Sequence, residues 1–204
     1  MPSVYTDEEI RAILGSIDRS TVQGSRDFAI LMLASSLGIR ASDICEMTLE
    51  AINFVKNELS FIQKKTSVPL TLPLLPDVKE ALLGYLGYRK IDSTDEPIFI
   101  QCRAPYHKLT RMGIWTIMRR YVKQSGVDPG HRKRGTHALR SSLASSMVRE
   151  QVPYYAVQKI LGHESPQSTK NYVRIDIGRL REFTLPVPEA YGRFDAFLKG
   201  GETR

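Results

Sequence analysis

"AINFVKNELSFIQKKTSVPLTLPL", residues 51–74, is where the pattern of this chain changes period. Apolar and polar residues alternate through "AINFVKNELSFIQ" and again through "SVPLTLPL", the two-residue repeat of half-buried strands. Turn-forming positions at Lys56, Asn57 and near Ser67 break the alternation, which predicts a small antiparallel sheet of two or three strands. Pro69 and Pro73 cannot donate to a ladder, so their strand belongs at an edge.

On either side of this stretch the period is helical. "TDEEI" (6–10) is a capping box, Thr6 with Glu9, and opens a helix to about Asp18. A second helix is expected from about Ser25 to Ser36. It contains most of "FAILMLASSLGI", an apolar run too short for the ~20 residues of a membrane span and better read as a buried helix. "IRASDICEM" predicts a short helix capped by Ser42. Beyond the sheet, Pro76 opens a helix with Val78, Leu82 and Tyr85 on one face, and "EPIFI" is expected to return a further short strand. Helices follow in "LTRMGIWTIMRRYVKQSG", capped by Thr110 and closed by Gly126, and in "THALRSSLASSMV", "PYYAVQKILGH", "SPQSTKNYV" and "PEAYGRFDAFLKG". The expected fold is mainly α with a small antiparallel β-sheet, one domain over residues 1–204, with a core to residue 178 and a tail helix in 179–204.

The 204 residues carry a net charge of +7, a balance that suits a polyanionic partner but is also common among proteins with none. Cys45 and Cys102 are too few for a disulfide framework or a cysteine-based zinc site. The N-terminus lacks the basic-then-apolar order of a signal peptide, so the expected location is cytoplasmic.

The helix in residues 136–148 sets the functional question. Leu139, Leu143 and Met147 form its apolar stripe, yet His137 and Arg140 stand three apart near its N-terminus. Side chains at that spacing share a face, and a helix N-terminus favours anions, so the pair predicts an anion site. Four other features could carry chemistry, each with an ordinary alternative. Arg40 could pair with Asp43. Lys64 and Lys65 could protect a hairpin edge. His163, beside the expected C′ residue Gly162, could cap a helix, and Tyr172 could be a half-buried aromatic.

Taken in order, Arg40 in "GIRASDI", Lys65 in "KKTSVPLTLPL", His137 and Arg140 in "HALR", His163 in "LGH" and Tyr172 nine residues later resemble the active-site signature of the tyrosine recombinases, the phage-integrase family, across roughly Thr6 to Arg174. Asp43 stands where members often have glutamate, which bears only on a buttressing role. Members usually carry a helical core-binding domain ahead of the catalytic one, and the expectation here is the catalytic domain without it.

The resemblance implies the tyrosine-recombinase catalytic fold and breakage and rejoining of DNA through a covalent 3′-phosphotyrosine, with no metal, ATP or cofactor. Tyr172 would be the nucleophile, His137 the acceptor of its proton, Lys65 the general acid at the leaving oxygen, and Arg40, Arg140 and His163 the ligands of the scissile phosphate. Arginine suits that place because its planar fork binds two phosphate oxygens and stays charged. The implied partner is double-stranded DNA, with a tetramer on synapsed DNA, a monomer or weak oligomer when free, no membrane, and association with the nucleoid. Arg103, Lys108, Arg111, Arg119, Arg132, Lys133 and Arg134, together with His131 and Arg120, fit a DNA footprint. Competing readings are a type IB topoisomerase-like nicking enzyme and a non-catalytic DNA-binding module. A metallohydrolase built on His131, His137 and His163 matches no usual zinc spacing.

Overall fold

The computed structural model describes residues 4–89, 96–132 and 135–162. Its elements are α1 (Asp7–Gly15), α2 (Val22–Ser36), α3 (Ala41–Glu46), a 3₁₀ turn (Leu49–Ala51), β1 (Ile52–Asn53), β2 (Glu58–Ile62), β3 (Pro69–Pro73), α4 (Pro76–Leu86), α5 (Arg111–Gln124), α6 (Thr136–Arg149) and α7 (Tyr154–Leu161).

The strands form one antiparallel sheet in the order β1-β2-β3, with Leu59 opposite Leu72 and Phe61 opposite Leu70. The prolines sit on β3, an edge strand, as the missing ladder donors require. Asn57 and Ser67 take the left-handed conformation at the two turns, φ 53° and 55°.

At the centre lies α2. Ala29, Ile30, Leu31, Leu33 and Ala34 are wholly buried, so this helix is apolar nearly all round, as helices inside a core are. It packs chiefly against α4 and α6. A buried polar knot ties it to α5: the Asp27 carboxylate accepts from Arg26, from the Tyr121 hydroxyl at 3.1 Å and from Arg120 at 3.3 Å. Burial raises the Asp27 pKa above the ordinary carboxylate value, and burial beside that carboxylate pushes Tyr121 up to about 12. The capping box forms as read: Thr6 Oγ1 accepts from Glu9 N–H at 3.2 Å, and Glu9 Oε2 accepts from Thr6 N–H at 2.8 Å.

Three local expectations change. The second helix starts earlier, at Val22, because Thr21 caps it through Gly24 N–H. Arg40, not Ser42, occupies the N-cap position of α3, and Ser42 Oγ instead donates to Asp43 at 3.3 Å. "EPIFI" makes isolated bridges, Thr48 to Pro97 and Ile100 to Lys108, and no strand. The segment changes partner midway: Ile98 N–H bonds Met47 O, whereas Phe99 O accepts from Leu109 N–H, so no ladder extends. The expected helices after residue 163 lie outside the described residues. None of the described helices is long and apolar enough to cross a membrane.

Candidate active site

The carbonyl end of α7 is the meeting point of the site. A helix C-terminus leaves acceptors without partners and carries partial negative charge, so it attracts cationic donors. Gly162 ends α7 in the left-handed conformation, φ 59°, and its carbonyl accepts from Arg40 Nη2 at 3.3 Å. The neighbouring Leu161 carbonyl accepts from Arg140 Nη2 and, at 3.4 Å, from Gln63 Nε2. Arg140 reaches a second carbonyl, that of Gly38, through Nη1 at 2.5 Å. Gly38 has φ 63°, and a Cβ there would lie 2.7 Å from Leu161 Cδ2, so only glycine lets the α2–α3 connection press this close to α7.

Arg40 and Arg140 are thereby brought to one place although they lie a hundred residues apart in the chain. Arg140 is 3% exposed, on the inner side of α6, with its guanidinium oriented by two backbone oxygens. Arg40 Nη1 is buried and has no hydrogen-bond partner among the described residues. A buried charged donor without an acceptor is costly, and its presence asks for an anion. His137 lies in the first turn of α6, exposed, so the two members of "HALR" differ in burial despite their spacing. Gly135 caps that helix without a side-chain bond.

Lys65 is exposed in the turn between β2 and β3. The base of this hairpin is held on two sides. Asp43 Oδ1 accepts from Lys64 N–H at 2.9 Å, and the buried Gln63 reaches α7 while its Oε1 accepts from Thr66 Oγ1 at 2.8 Å. Gln63 was not singled out from the sequence, although a signal existed: it continues the inward register of Leu59 and Phe61, where a polar side chain must find buried partners.

The basic residues separate. Arg103, Arg111 and Arg119 are exposed, the last with its guanidinium 5.4 Å from the centre of the Trp115 ring. Lys108 pairs with Glu46 at 2.7 Å. Arg132 departs from the expected footprint. It forms a bidentate pair with Glu9 at 2.6 and 2.8 Å, donates to the carbonyls of Val4, Pro129 and Asp128, and lies 4.5 Å from the centre of the Tyr5 ring. Those bonds occupy all five N–H groups of a guanidinium, so this arginine braces α1 against the loop before α6. Arg120, engaged by Asp27, is similarly committed on one side. His163, Tyr172, Lys133 and Arg134 lie outside the described residues.

Gly162→Ala should disturb several of these contacts at once. A Cβ would lie 2.4 Å from Gln63 Nε2, and the left-handed backbone costs an L-residue about 1–2 kcal/mol. A fall in thermal stability of that order or more is expected, measured by calorimetry, and Gly162→Asn should not restore it, because asparagine tolerates this conformation but brings the same Cβ against Gln63.

Sequence comparison agrees with the geometry. The model of the phage integrase family matches residues 3–179. A Sinorhizobium fredii protein provisionally named an integrase/recombinase is 34% identical over 189 residues, which cover 92% of this chain and 97% of that one. The tyrosine recombinase XerA of Pyrococcus furiosus is 29% identical over 187 residues, 89% of this chain and 60% of its own. The crystal structure of XerH site-specific recombinase in a post-cleavage complex with palindromic difH substrate superposes with a TM-score of 0.73 at 21% identity, over 89% of this chain and 52% of that chain. The chain therefore spans only part of the length of these two Xer proteins.

Proposed function

The chain belongs to the phage integrase family, and from that premise we propose that it is the catalytic domain of a site-specific tyrosine recombinase that cleaves and rejoins double-stranded DNA. The observation that carries this reading is the convergence of Arg40 and Arg140 on the end of α7, with Arg40 Nη1 buried and lacking an acceptor among the described residues. A scissile phosphate supplies that acceptor. Charge accumulates on its non-bridging oxygens during attack, and fixed guanidinium donors stabilise it without reorganising.

In the proposed reaction the Tyr172 hydroxyl oxygen attacks phosphorus, and its proton passes to His137. The bond from phosphorus to the 5′-oxygen breaks, Lys65 donates a proton to that oxygen, and a 3′-phosphotyrosine and a free 5′-hydroxyl result. His163 donates to a phosphate oxygen. A 5′-hydroxyl from a second duplex then reverses these steps, so neither metal nor ATP enters the balance. Arg103, Lys108, Arg111, Arg119, Lys133 and Arg134 contact the DNA backbone. The domain assembles as a tetramer on synapsed DNA, is monomeric or weakly associated when free, and works in the cytoplasm at the nucleoid.

The test is a pool of nicked suicide duplexes with randomised cores, incubated with the protein in EDTA without nucleotide. A denaturation-resistant protein–DNA adduct is expected, and the recovered DNA gives the site. A pool that yields no adduct, while the protein retains it on a filter, points to a DNA-binding module without chemistry.

A further inference from the structure

Glu46, at the C-terminal end of α3, holds two ammonium groups from two separate segments. Its Oε1 lies 2.5 Å from Lys64 Nζ on the β2–β3 hairpin, and its Oε2 lies 2.7 Å from Lys108 Nζ on the segment leading into α5. Those two lysines hold the Glu46 pKa below its ordinary value. As stabilising contacts the pairs count for little, because the side chains are 38% exposed for Glu46, 60% for Lys64 and 44% for Lys108, and solvent screens such pairs. Their effect is on position. Arg40 begins α3, Asp43 in its first turn accepts from Lys64 N–H, and Glu46 at its last residue grips the Lys64 ammonium. One short helix therefore carries a phosphate-site arginine at one end and two tethers to the residue adjoining Lys65.

We propose that Glu46 is a positioning residue, which fixes the hairpin through Lys64 and the α5 approach through Lys108 so that Lys65 meets the leaving 5′-oxygen. This rests on the reading of Lys65 as general acid. A glutamine at 46 keeps one acceptor oxygen and loses the charge, so it cannot hold both ammonium groups. Removal of a negative charge beside two lysines has the opposite effect on binding, since it leaves more positive potential for a polyanion. The signature is thus slower cleavage with DNA affinity unchanged or higher, which general loss of structure does not produce.

The experiment measures single-turnover cleavage by wild type, Glu46→Gln, Lys65→Ala and the double variant on two suicide duplexes, one normal and one with a 5′-bridging sulfur at the scissile phosphate. A thiolate departs without a proton, so the sulfur duplex removes the need for a general acid. Glu46→Gln is expected to cleave the oxygen duplex about 3- to 10-fold more slowly than wild type, the scale of a misplaced catalytic group, and the sulfur duplex at the wild-type rate. The double variant should be no slower than Lys65→Ala alone, because both changes act through one group. Glu46→Gln equally slow on both duplexes, or unchanged on the oxygen duplex, overturns the inference while leaving Lys65 as the acid. Lys65→Ala that stays slow on the sulfur duplex overturns the general-acid reading itself, and the inference with it.

Discussion

Tyr172→Phe is expected to abolish covalent attachment to DNA while leaving folding and DNA binding at about the wild-type level. The change deletes one oxygen and keeps the ring, so the expected loss in packing is small. The chemistry has no substitute for it, because a phenyl ring has no atom that can displace a 5′-oxygen from phosphorus. On the proposed reading, binding rests on phosphate contacts by lysines and arginines, which the substitution leaves alone. Denaturing gels of the recovered suicide duplex read the adduct, and fluorescence anisotropy reads affinity. A Tyr172→Phe protein that still forms the adduct sinks the assignment and directs attention to Tyr154 and Tyr155, both exposed on α7.

Arg140→Lys should be nearly as severe for a different reason. The guanidinium joins the Gly38 carbonyl to the Leu161 carbonyl at a position 3% exposed to solvent. An ammonium at the end of a flexible stem cannot reproduce that planar fork, although the charge is the same. One carbonyl is left without its donor, at a cost of about 1–3 kcal/mol, and the α2–α3 connection loses its link to α7. Loss of a preorganised donor to the developing phosphate charge is worth about a hundredfold or more in rate. Cleavage should therefore fall by at least that factor. DNA affinity measured at low salt should fall little, since net charge is preserved. Near-normal cleavage by Arg140→Lys means that charge alone suffices and that the fork is not part of the chemistry.

What the sequence disclosed and what it withheld divide along a physical line. Signals carried by neighbours in the chain were legible: the two-residue alternation of 51–74, the Thr6–Glu9 box, Pro76 at a helix start and Gly162 at a helix end. Each depends on local backbone preference or on a period. Properties fixed by partners far along the chain were not. "EPIFI" has the composition of a strand, but its bonds go to two different segments. Arg132 looks like its basic neighbours in "HRKRG", and only the fold shows that Glu9, 123 residues away, holds it. The arginines of the signature were recognisable as residue types with phosphate chemistry. That both meet the end of one helix, and that Gln63 joins them there, depends on how α6, α7 and the hairpin pack.

The shared anchor at Leu161 and Gly162 bears on how such a site can change. Arg40, Arg140 and the base of the hairpin each donate to one of two consecutive carbonyl groups, so the pose of α7 is a variable common to all three, beside the separate ties of Arg140 to Gly38 and of the hairpin to α3. A substitution that shifts this helix does not retune one group while sparing the rest. It moves the guanidinium donors and the base of the lysine hairpin together. Gradual adjustment of one catalytic contact at a time is then unavailable from α7, and variation that alters activity piecemeal must come from positions that touch only one of the three segments.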